Sequence, residues 1–160
     1  MNQNSSNKKQ IYQNVTRKNL LENFEKYNVF HFSGHATAID NEKSWRLFCC
    51  DSELEVIELL KLMNNTFLVN LAGCNTATQE ALKTGDLISM AGVFAMNHVP
   101  VFIGNLFPVY DEMALNFSKK FYDYWFAKNN SVSESVQHAM LDNKKLFSNP
   151  YIWGGQMVFC

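Results

Sequence analysis

Acyl transfer needs a nucleophile, a base and a place for negative charge, and one pair of segments in this sequence offers all three. His35 follows the run Val29-Phe30-His31-Phe32-Ser33-Gly34, and Cys74 follows Phe67-Leu68-Val69-Asn70-Leu71-Ala72-Gly73. A short apolar run that ends in a small residue and then one reactive side chain is how a buried strand delivers a catalytic group to the edge of a sheet. If the two strands are neighbours, about 4.8 Å apart, imidazole and sulfur approach within a few ångströms. A thiol with a pKa of about 8.5 is only a few per cent thiolate at neutral pH, so a histidine acting as ion-pair partner or base raises the reactive fraction. The charge that develops on a substrate oxygen would be met by backbone amides, those of Ala36 and Cys74 being placed for it. The competing reading is an inert buried cysteine and a surface histidine, because free cysteine is among the most buried residue types.

The elements that must position this pair follow from the apolar spacing. Leu20, Leu21, Phe24 and Tyr27 predict a helix from Thr16 to about Asn28, followed directly by a strand at 28–33. Residues 36–44 read as a loop, 45–50 as a short strand, and Ser52 with Glu55 as the capping box of a helix over 53–63. The run 66–72 is the second main strand. Thr84-Gly85-Asp86 opens a helix bearing Leu87, Met90, Ala91 and Phe94, and a third strand spans 99–104 with Pro100 near its start. An amphipathic helix over 110–127 carries Met113, Phe117, Phe121 and Tyr124/Trp125; another begins at a Ser131/Glu134 capping box and ends before Pro150; a strand at 155–160 closes the chain. A crossover that contains a helix implies parallel pairing of right-handed connectivity. The fold class is therefore α/β, a three-layer α/β/α sandwich with a mostly parallel sheet and its site beyond the strands' carboxyl ends.

Composition narrows the function classes. With 14 basic and 15 acidic residues the formal charge is −1, which argues against a nucleic-acid groove or an anionic membrane surface as the partner. The longest apolar stretch, Ala91 to Phe107, is broken by Asn97, His98, Pro100 and Asn105, so no membrane-spanning helix is expected. The four cysteines (49, 50, 74 and 160) and a polar start without a signal-like segment suit free thiols in a reducing cytoplasm. Adjacent Cys49 and Cys50 point to opposite faces of a strand and no C-x-x-C pair exists, so no metal is expected. Residues 1–15 read as a disordered or frayed lead, and 16–160 as one domain.

Several segments taken together resemble the CHAT family, caspase-like cysteine peptidases related to separases. They are His-Phe-Ser-Gly-His at 31–35, Leu-Ala-Gly-Cys-Asn-Thr-Ala at 71–77, Asp-Leu-Ile-Ser-Met-Ala-Gly at 86–92, Gly-Asn-Leu-Phe-Pro-Val-Tyr-Asp at 104–111, Phe-Ser-Lys-Lys-Phe-Tyr at 117–122 and Ser-Glu-Ser-Val-Gln-His-Ala at 133–139, with Trp153 before the last strand. The resemblance implies His35 as general base, Cys74 as nucleophile, the Ala36 and Cys74 amides as oxyanion donors, no cofactor, and hydrolysis of peptide bonds in protein substrates. Substrate would lie extended along Asn105 to Tyr110, with Phe107 as an aromatic wall. Asp111 stands where separases have an acid near the substrate pocket; the competing reading is a helix-terminal acid that favours the dipole.

Two departures bear on these expectations. Ala36 replaces the family's usual glycine after the histidine. Only about 28 residues precede the histidine strand, so the sheet lacks the first strands of the full fold and the chain reads as the C-terminal part of a larger unit. An uncovered histidine-strand edge invites a partner chain or a second copy. Family members are often bacterial and regulated by neighbouring domains such as tetratricopeptide repeats. The alternative function is a catalytically silent CHAT-like module that acts as a scaffold.

Overall fold

The computed structural model describes residues 11–38, 45–73, 79–81 and 87–160. Helix α1 (Arg17–Phe24) starts where the Thr16 hydroxyl accepts the Asn19 N–H at 3.1 Å, and it buries Leu20 and Phe24. Strand β1 (Val29–Phe32) follows. Residues 36–38, expected as loop, form β2 (Ala36–Ala38), which pairs antiparallel with β3 (Trp45–Phe48).

The helix expected over 53–63 is displaced. Residues Glu53–Glu55 form β4, antiparallel to β3, and α2 is confined to Val56–Leu60. Long-range pairing overrides the local Ser52 signal for a visible reason. Leu54 lies opposite Leu47, both fully buried, while Glu53 and Glu55 flank Arg46 at 3.1 and 3.9 Å. The capping box moves three residues on, to Glu55 and Glu58.

After β5 (Leu68–Leu71), β6 (Gln79–Ala81) pairs antiparallel with β7 (Leu87–Ser89), and α3 (Met90–Met96) starts later than the expected helix; Thr84, Gly85 and Asp86 lie outside the described residues. The chain turns at exposed His98, whose φ of 62° is left-handed, and enters β8 (Val101–Asn105) past Pro100. Helix α4 (Asp111–Tyr122) continues into a π-helical turn, Asp123–Ala127. Helix α5 (Val132–Leu146) opens on the expected Ser131/Glu134 box. A short helix that the spacing did not reveal, α6 (Pro150–Trp153), precedes β9 (Gln156–Phe159).

The main sheet has the order β1-β5-β8-β9, with β1, β5 and β8 parallel and β9 antiparallel to β8. Strand alternation sorts its side chains into two layers. Val69, Leu71 and Phe102 pack with Phe24, Leu59, Met90 and Phe94 of α1, α2 and α3. Leu68, Val101 and Ile103 pack with Phe117, Phe121, Val136 and Ala139 of α4 and α5. Phe94 and Phe102 stack at 5.2 Å, and each such fully buried ring contributes roughly 1.5–3 kcal/mol of apolar transfer. The result is the expected α/β/α sandwich, with β1 at one edge of the sheet.

Candidate active site

The strands that carry His35 and Cys74 are parallel neighbours. Their last pair is Phe32 with Leu71, and the Ala72 N–H donates to the Phe32 carbonyl at 2.9 Å. His35 and Cys74 each lie three residues past that pair. His35 is exposed at the head of β2, and its carbonyl accepts the Phe48 N–H at 3.0 Å. Because bonded and non-bonded pairs alternate in an antiparallel ladder, that bond turns the Ala36 amide away from β3. Cys74 lies outside the described residues.

Gly34 permits the tight exit from β1. A Cβ there would sit 2.9 Å from Cε1 of Phe32, whose ring is buried beneath. A larger residue would have to push into the core or lift the segment that bears His35.

The third parallel strand supplies Asn105, which the family resemblance puts on the substrate path. Asn105 is 5 % exposed, and its Nδ2 donates to the Gly73 carbonyl at 3.0 Å. Its Oδ1 accepts from Nε2 of Gln156, the residue directly opposite on β9, at 3.3 Å. Phe107 is half-buried and stacks on Tyr151 of α6 with centroids 4.2 Å apart; a Cβ on Gly155 would meet the Phe107 ring at 3.2 Å. Asp111 is the exposed first residue of α4, where a carboxylate favours the helix dipole. Gln156 and Tyr151 were not singled out in the sequence, since an isolated glutamine in a terminal strand and a tyrosine in an unpredicted helix carry no local signal.

Beneath the same strand ends lies a polar cluster. His31 Nδ1 is 3.1 Å from the Tyr122 hydroxyl, with their rings edge to face. Burial lowers the His31 pKa to about 4 and pushes the Tyr122 phenol well above its ordinary range. Asn70, 2 % exposed, sits against the same hydroxyl, although its Nδ2 makes no hydrogen bond of ordinary geometry. These contacts give His31 a structural role between β1 and α4.

Among the described residues, Cys49, Cys50 and Cys160 are free thiols, and no cluster of three histidine, cysteine or acidic side chains could hold a metal ion. Burial raises the Cys49 pKa, reinforced by Asp51 and Cys50, so that thiol is held in its unreactive form. No described helix is long and apolar enough to cross a membrane.

Three parallel strands between helical layers, with a histidine segment and a cysteine segment leaving adjacent carboxyl ends, define a caspase-like α/β/α architecture. The family model of the CHAT domain matches residues 1–159, and the chain belongs to the CHAT domain family. A search of curated proteins finds no match to the chain.

Proposed function

We propose that the chain is a cysteine endopeptidase that hydrolyses peptide bonds of protein substrates through a Cys74–His35 dyad. The observation that carries this reading is the parallel pairing of β1 with β5 at the Phe32–Leu71 register, which sends both segments out of the same sheet edge. His35 takes the Cys74 proton, and the thiolate attacks the scissile carbonyl carbon, forming the C–S bond while the carbonyl electron pair moves to oxygen. The Ala36 and Cys74 amides hold that oxyanion. Collapse breaks the C–N bond, and the His35 imidazolium returns the proton to the leaving amine. Water, deprotonated by His35, then cleaves the thioester to a carboxylate and the free thiol.

Substrate lies extended along Asn105 to Tyr110, with the Phe107 ring, backed by Tyr151, as the pocket wall. Asp111 stands beside this path and would favour a basic side chain. The setting is cytoplasmic and needs no cofactor. A neighbouring domain such as tetratricopeptide repeats, or a partner chain at the β1 edge, regulates the activity.

The test is selective alkylation by iodoacetamide or a peptidyl chloromethyl ketone. Cys74 should react well ahead of Cys49 and Cys160, and His35→Ala should abolish the advantage. Equal reactivity of the three thiols would overturn the peptidase reading in favour of the silent scaffold.

A further inference from the structure

The antiparallel sheet β2-β3-β4 has an inner and an outer face. Trp45, Leu47 and Leu54 point inward and are buried, and Ala36 packs against the same core. Arg46, Phe48, Glu53 and Glu55 alternate with them along β3 and β4 and therefore point outward.

His35 belongs to this outer face. The Phe48 N–H donates to the His35 carbonyl at 3.0 Å, which carries the β2–β3 register one residue past the pair Ala36 and Leu47 and sets His35 opposite Phe48. Glu53 in turn stands opposite Phe48 on β4. Directly opposite residues of an antiparallel pair share a face. One row across the sheet thus reads His35, Phe48, Glu53, in steps of about 4.8 Å.

A single exposed phenylalanine is ordinary on a protein surface. What distinguishes Phe48, 41 % exposed, is its register beside the proposed base. Charge marks the same place. Glu53 and Glu55 share one guanidinium, that of Arg46, at 3.1 and 3.9 Å, so two carboxylates face one cation and a negative charge is left in surplus. A ring bordered by surplus negative charge suits an apolar side chain followed by a cationic one.

The reaction itself says what arrives here. In the peptidase reading, substrate residues before the scissile bond run past β8, and β8 and β1 lie on opposite sides of β5. The His35 imidazolium hands its proton to the leaving amine, so the residues after the bond begin at His35, on the β1 side. We propose that the outer face of β2-β3-β4 holds this leaving segment, with Phe48 selecting a large apolar residue directly after the cleaved bond and Glu53 a basic residue following it. The assignment rests on the peptidase reading above.

The experiment runs the leaving step in reverse in the full chain. Cys74 is acetylated with p-nitrophenyl acetate, excess ester is removed by gel filtration, and an amine is added. Attack of the amine nitrogen on the thioester carbon forms a C–N bond, breaks the C–S bond and returns the amine proton, through His35, to sulfur. The amine thereby occupies the place of the leaving segment. Mass spectrometry follows the acetylated Cys74 peptide and the N-acetyl product, with Cys74→Ala as background.

Leucine amide should react about tenfold faster than glycine amide. Leucyl-lysine amide should react about fivefold faster than leucyl-glutamate amide. Phe48→Ser should cut the first preference to within about threefold, and Glu53→Gln the second to within about twofold. Because each readout is a ratio of two amines on one protein, a general loss of reactivity does not imitate it. Either preference absent in wild type, or unchanged in its variant, overturns the assignment and leaves the dyad standing. A Cys74 acetylated no faster than Cys50 and Cys160 overturns the dyad, and the assignment with it.

Discussion

His31 and Asn70 stand directly opposite each other on β1 and β5, and both face the Tyr122 hydroxyl of α4. One small polar cluster thus ties together the two strands that precede His35 and Cys74 and the helix packed beneath them. Apolar side chains at these positions would also fill the space, but they would not supply the directional His31–Tyr122 contact that ties β1 to α4.

This cluster makes stability depend on pH with a defined sign. The His31 pKa is lowered from 6.5 to about 4, so the unfolded chain takes up a proton at a pH where the folded chain does not. The contribution is fully present above pH 6.5, is lost as pH falls toward about 4, and changes no further below that. Its full size is on the order of 3 kcal/mol. Urea midpoints of wild type measured across this range should fall more steeply than those of His31→Gln. Parallel profiles for the two proteins would show that His31 is not the group responsible.

Gly34→Ala should destabilise the fold. The added methyl would meet the buried Phe32 ring at 2.9 Å, and overpacking of this kind costs about 1–3 kcal/mol. Since the strain falls one residue before His35, the same variant should lower the alkylation rate of Cys74. A thermal midpoint equal to wild type would mean that the ring moves aside freely.

His98→Gly should act in the opposite direction. His98 is exposed and holds a φ of 62° at the end of α3, a conformation that glycine adopts without steric penalty. The relief should exceed glycine's extra unfolded-state entropy, for a net gain of about 0.5–1 kcal/mol. Denaturant unfolding measures this, and a loss of stability would indicate that the imidazole makes a contact worth more than the strain.

Much of the fold is legible in the sequence where the deciding interactions are local. The Ser131/Glu134 box opens α5 as expected because both of its bonds form within one turn: the Ser131 hydroxyl accepts the Glu134 N–H at 3.3 Å, and the Glu134 carboxylate accepts the Ser131 N–H at 2.9 Å. The strands at 29–32, 68–71 and 101–105 are read from apolar runs, the latter two buried along their whole length and the first half-buried at the sheet edge. Residues 53–55 form a strand although Ser52 and Glu55 carry a sound local helix signal. The opposing terms come from Leu47 and Arg46, which reach them only through the β3–β4 pairing.

The site divides along the same line. Sequence alone marks His35 and Cys74 as reactive residues that follow strands, since an apolar run, a small residue and a polar side chain form a pattern along the chain. It also marks 104–111 as a segment of interest. Tertiary structure decides that β1 and β5 are neighbours in the Phe32–Leu71 register, that the Ala36 amide turns away from β3, and that Asn105 reaches the Gly73 carbonyl with Gln156 behind it. Those relations join residues 32 to 71, 73 to 105 and 105 to 156. Hydrogen-bond direction across such separations is set by which strands lie side by side, and that is a property of the packed sheet rather than of any one segment.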